Sequence, residues 1–116
     1  MATSARIGDA HGLAIDSNNN LYIPDYSNSR VRKVSGGVIS TVAGSGVFGY
    51  SGDGGLATSA AMGTPTGVAV DASNNLYISD GDSFVIRKVS AGLITTIAGG
   101  GTNGYPADGP DRKSVV

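Results

Sequence analysis

The residues able to do chemistry are few, and most come in pairs at one fixed distance. Asp16 and Asp71 lie 55 residues apart, as do Asp25 and Asp80, and Asp53 and Asp108. Paired carboxylates suit general acid–base work or calcium. A carboxylate ahead of Ser and Asn residues also accepts backbone N–H groups and fixes a turn. Because Asp16/Asp71 and Asp25/Asp80 recur at the same places, turn fixing is the expected role. His11 is the sole histidine. With no nucleophile motif near it, no Ser-His-Asp set can be assembled. Phe48, Tyr50 and Asp53, and then Tyr105 and Asp108, stand in glycine-rich loops spanning 44–55 and 99–109. Loops of this kind can approach a phosphate, but no Lys-Ser/Thr pair opens a helix after them, which excludes a P-loop. These five are the expected binding residues, since function concentrates on loops. The competing reading packs both tyrosines under the loops and makes the Asp-Gly steps turns.

Arg30, Arg32, Lys33, Arg87 and Lys88 are the basic component. Against a net charge of −1, they are expected as solvated edge charges that discourage edge-to-edge pairing. A nucleic-acid partner is not expected. Cysteine is absent, which removes disulfides, thiolate catalysis and cysteine zinc sites. No window is apolar over the roughly 18 residues of a membrane-crossing helix, and the first residues lack a signal-peptide pattern. A soluble chain in an unassigned compartment is expected, with a secreted context left open.

The elements that carry these residues follow from the repetition. Shifted by 55, Ala2-Thr3-Ser4-Ala5 falls on Ala57-Thr58-Ser59-Ala60, and Val31-Arg32-Lys33-Val34-Ser35 falls on Ile86-Arg87-Lys88-Val89-Ser90. Gly49-Tyr50 and Asp53-Gly54 fall on Gly104-Tyr105 and Asp108-Gly109. The chain of 116 residues thus divides into units 2–56 and 57–111 and a tail, 112–116. Each unit has four short apolar runs: 12–15, 20–24, 31–34 and 38–42, then 67–70, 75–79, 85–89 and 93–98. The links within a unit are Asx- and Gly-rich, which predicts two four-stranded antiparallel meanders. Between the units runs a longer Gly/Ser/Ala-rich linker, 44–65, with a short helical turn expected at 57–61. Leu21-Tyr22-Ile23 and Val68-Ala69-Val70 do not alternate apolar with polar, so both faces of each sheet must be covered. Tandem meanders covering one another are the blades of a β-propeller.

The same residues carry a family resemblance. Pro65-Thr66-Gly67-Val68-Ala69-Val70-Asp71, Asn75-Leu76-Tyr77-Ile78-Ser79-Asp80 and Ile86-Arg87-Lys88-Val89 resemble the NHL repeat. Ser51-Gly52-Asp53-Gly54-Gly55 after a Thr-Val-Ala-Gly strand resembles the long-linker NHL repeats of bacterial proteins and teneurins. Ala10-His11-Gly12 replaces the usual Pro-x-Gly, and Pro106-Ala107 and Pro110 replace Ser-Gly and the final Gly of the loop. The resemblance implies an all-β propeller of about six blades, of which this chain holds two. Two blades leave apolar faces open, so a homotrimer closing one six-bladed ring is expected, with an excerpt of a longer propeller, or a minimal assembly unit without its own ligand, as the alternative. The expected function is a self-assembling binding or scaffold module for a protein or small ligand. The alternative is a lyase or hydrolase with a divalent metal in the central channel. Some NHL-like propellers, such as the peptidyl-hydroxyglycine amidating lyase, place histidines there. Three His11 imidazoles on a threefold axis would then hold the metal. No cofactor is otherwise expected.

Overall fold

The computed structural model describes residues 1–8 and 12–99. Unit one forms β1 (Ala14–Ile15), β2 (Leu21–Asp25), β3 (Arg30–Ser35) and β4 (Val38–Ala43). Unit two forms β5 (Pro65–Val70), β6 (Leu76–Asp80), β7 (Val85–Ser90) and β8 (Leu93–Gly99). Each set is one four-stranded sheet in chain order, every neighbouring pair antiparallel. The two meanders read from the sequence are therefore present, with most ends within a residue or two of expectation. Ala57–Ser59 forms the helical turn expected in the linker, a single 3-10 turn, and Ala2–Ser4 forms its twin.

The turns explain the strands. Asn19 and Asn74 take positive φ at the ends of the first hairpins, where asparagine is tolerated. Gly36-Gly37 and Ala91-Gly92 take positive φ at both central positions of the tight turns from β3 to β4 and from β7 to β8. That backbone matches the twist of the flanking strands. Pro24 sits within β2 and pairs with Val31 of β3. Because β1 pairs only with Leu21 and Tyr22, nothing on its side of β2 needs the missing N–H.

The sheets pack face to face. Tyr22, Val31 and Ala43 of the first meet Leu76, Ile78, Val89 and Ile94 of the second, with Ala57, Ala60 and Met62 of the linker completing one buried cluster. β5 lies against both β1 and β2. The linker is part of this core. Gly44 N–H donates to Ala57 O at 2.9 Å and Ser45 N–H to Ala60 O at 2.8 Å, while Ala57 N–H donates to Gly92 O at 2.8 Å. The segment 57–60 is thus held between the last strand of one sheet and the outer hairpin of the other. The outer faces stay open: Leu13 and Ile15 are 58% and 64% exposed, although their unit-two counterparts Val68 and Val70 pack against the core.

Candidate functional site

Two of the residues expected to do chemistry, Tyr50 and Asp53, are brought together at the joint between the two sheets, around Arg87. A register shift between Ile86 and Arg87, opposite Ile97 of β8, turns Arg87 into the interface. Its side chain is fully buried. Nη1 donates to Ala61 O at 2.8 Å, and Nη2 donates to Ser51 O at 2.7 Å and Asp53 Oδ1 at 2.9 Å. The guanidinium lies 4.9 Å from the centre of the Tyr50 ring, a cation–π arrangement. Tyr50 O–H in turn reaches Asp53 Oδ2 at 3.2 Å and Thr96 Oγ1 at 2.6 Å. Burial raises the Asp53 pKa, but Thr96, Arg87 and Tyr50 together hold its carboxyl below the usual range.

This corrects the expectation of solvated edge charges. Arg87 is a buried bracket binding linker to blade: its fork gives the Ser51 carbonyl a donor and adds a second one to the Ala61 carbonyl, which also accepts from Ser51 N–H. Arg32, its twin, is also largely covered and contacts Arg6 O at 3.5 Å and Asp25 Oδ2 at 3.5 Å. Lys33 and Lys88 lay their ammonium groups over Tyr22 and Tyr77, at 5.6 and 5.8 Å from the ring centres.

Of the five expected binding residues, Tyr50 and Asp53 meet in this cluster, each with one side in solvent. Phe48 pairs by its backbone with Met62 and leaves its ring exposed. Tyr105 and Asp108 lie outside the described residues, as does His11. Among the described residues, no group of three or more His, Cys, Asp or Glu side chains is placed to hold a metal. Sequence reasoning passed over Arg87 as the organising residue. A signal was present: the same Arg recurs on the same strand in both units, beside Asp-Gly loops.

The repeated aspartates do what the turn chemistry predicts. Asp16 Oδ1 accepts from Asn18 N–H and Asn20 N–H at 2.9 Å each, and Oδ2 accepts from Asn20 Nδ2 and Tyr22 O–H at 3.0 Å each. Asp71 repeats this with Ser73, Asn75 and Tyr77. Burial opposes ionisation of Asp16, yet the hydrogen bonds from Asn20, Asn18 and Tyr22 outweigh it and lower its pKa to about 2. Asn75 chiefly lowers that of Asp71. Tyr22 is raised in turn by its burial and then by Asp16. Asp25 and Asp80, both fully buried, pin the chain entering each sheet: Asp25 Oδ1 accepts from Gly8 N–H at 2.7 Å, and Asp80 Oδ2 from Gly63 N–H at 2.8 Å. A groove of about 350 Å³ runs between the two hairpins, lined by Asp16, Asn20, Tyr22, Lys33, Asn74 and Ala91 among others.

Two four-stranded meanders stacked on a shared linker define an all-β repeat protein, consistent with part of a propeller. The NHL repeat family's model matches residues 8–34, from just before β1 to near the end of β3. The structure is similar to the crystal structure of a structural genomics protein of unknown function from Bacteroides thetaiotaomicron VPI-5482. The two agree with a TM-score of 0.65 and 26% identity over 80% of this chain and 22% of that one. The chain therefore spans about a fifth of that relative's length. No curated protein matches it. Among the described residues, no helix is long and apolar enough to cross a membrane.

Proposed function

We propose that the chain is an assembling binding or scaffold module, two NHL-type blades that are completed into a closed six-bladed ring by two further copies. The observation that carries this is the relation between the faces. Blade one offers blade two the face containing Tyr22 and Val31, and the equivalent face of blade two, with Tyr77 and Ile86, is open. Blade two offers the face containing Val68, Val70, Ile78 and Arg87, and on its equivalent in blade one Leu13 and Ile15 are open, while Ile23 and Arg32 are covered. One copy's free end thus fits the next copy's free beginning by the geometry already used inside the chain. Such head-to-tail contacts generate rings when the rotation closes. The assembled ring would present Phe48 and Tyr50, with their counterparts, on one surface for a protein or small ligand.

Light scattering and native mass spectrometry test this directly. A mass of three chains at micromolar concentration is expected. A well-folded chain that stays monomeric over the whole concentration range refutes the ring.

A further inference from the structure

The joint inside the chain has two halves. The receiving half belongs to blade two: Arg87, the carbonyl of Ala61 and the hairpin at Gly92. The inserting half is the linker leaving blade one, with the Tyr50 ring, the Ser51 carbonyl and the Asp53 carboxylate closing on Arg87. The chain holds one more copy of each. At its beginning the receiving half is already formed. Ala2 N–H donates to Gly37 O at 2.9 Å, as Ala57 donates to Gly92, and Arg32 reaches Arg6 O, as Arg87 reaches Ala61. Among the described residues, Arg32 has no counterpart of the Ser51 carbonyl or the Tyr50 ring, and its one carboxylate, Asp25, stands at 3.5 Å instead of 2.9 Å.

The second inserting half is in the sequence after β8. Tyr50, Ser51 and Asp53 correspond to Tyr105, Pro106 and Asp108. The two prolines there are compatible with the role. Ser51 gives Arg87 its carbonyl, which Pro106 retains. Gly55 accepts from Ile94 N–H through its carbonyl, which Pro110 retains. What Pro106 cannot repeat is the Ser51 N–H bond to Ala61 O.

We propose that Arg32 is the receptor of an intermolecular clamp, closed by Tyr105, the Pro106 carbonyl and Asp108 of a second copy of this chain. This rests on the assembly reading above and gives it a residue-level lock. Charge complementarity selects the occupant: a part-buried guanidinium with a donor edge unmatched among the described residues takes a carboxylate and a carbonyl, and the tail's sequence carries both at the spacing used inside the chain.

The test compares native mass over a dilution series for the full chain and for Arg32→Asp, Asp108→Arg and the double swap, with circular dichroism to confirm folding. Each single variant is expected to weaken association by about tenfold or more, since removing one member of a desolvated pair strands the other. The double swap should recover part of the loss. Asp108→Arg lies beyond the strands and keeps the test open if Arg32→Asp misfolds. An assembled protein indifferent to these changes overturns the clamp and leaves the ring standing. A monomeric wild type overturns both. A monomer whose melting temperature responds to Asp108 shows that the chain's own tail occupies Arg32, and this too overturns the intermolecular clamp.

Discussion

Replacing Arg87 by Met keeps the length and apolar stem of the side chain and removes the fork. Substituting both members of a buried ion pair by apolar residues is often harmless, but here only one member can be removed. The carbonyls of Ala61 and Ser51 remain where the linker holds them, 2.8 and 2.7 Å from atoms that no longer exist. The Ala61 carbonyl keeps the Ser51 N–H, whereas the Ser51 carbonyl loses its donor, at about 1–3 kcal/mol. Asp53, at 39% exposure, returns to water and adds under about 1 kcal/mol. The expected loss is about 2 kcal/mol, equivalent to about 8 °C in melting temperature for a chain of this size. Urea denaturation followed by circular dichroism measures it, with Arg87→Lys and Asp53→Asn beside it. Lysine keeps the charge without the planar fork and should recover no more than half. Asp53→Asn should cost less than about 1 kcal/mol. If Arg87→Met costs under about 1 kcal/mol, or Asp53→Asn costs as much as Arg87→Met, then the two carbonyls are not what Arg87 satisfies and the reasoning fails.

Three other outcomes follow from the local geometry. Asp16 and Asp71 titrate lower in the folded chain than in the unfolded one, so their stabilisation is complete above the unfolded carboxylate pKa of about 4 and drains away as pH falls, for Asp16 toward about 2. Melting temperature measured from pH 6 down to pH 2 should therefore fall less steeply in Asp16→Asn/Asp71→Asn than in the wild type; equal slopes would assign the acid sensitivity elsewhere. Ala91 occupies a left-handed position that glycine fills in unit one, so Ala91→Asn should raise stability by about 0.5 kcal/mol, seen as a shift of about 2 °C. Gly44 has φ +91, and a Cβ there would meet the Ser29 carbonyl and stand 2.7 Å from Arg30 Cα. Gly44→Ala should cost about 2–3 kcal/mol by denaturant titration while it loosens the joint at Ala57.

Much of the architecture was legible because it is written in short-range chemistry. Asp-Ser/Ala-Asn/Ser-Asn-Asn between two apolar runs can close on itself, and Asp16 and Asp71 bind backbone only two and four residues away. The 55-residue identity guaranteed that a turn made once is made twice. Runs apolar on both faces announced sheets with two faces to cover, and the chain packs one face of each sheet against the other, while the NHL resemblance follows the same residues. Even the single 3-10 turn at Ala57–Ser59 was visible, since a small-residue stretch in the linker has few other ways to satisfy its backbone.

What the chain alone could not disclose was which charges the fold would bury. Arg87 looks like any strand arginine in sequence, and its partners stand 26 to 36 residues away. Only when the linker crosses from one sheet to the next do Ser51, Asp53 and Ala61 converge on it. The cause is desolvation of the arginine itself: once the two sheets bury its side chain, its fork needs acceptors, and the linker supplies two carbonyls and a carboxylate. The sequence determined the strands, their turns and the twofold repetition. The tertiary structure decided that Arg87 is locked by the linker, because only the crossing between the two sheets brings two carbonyls and a carboxylate to its fork.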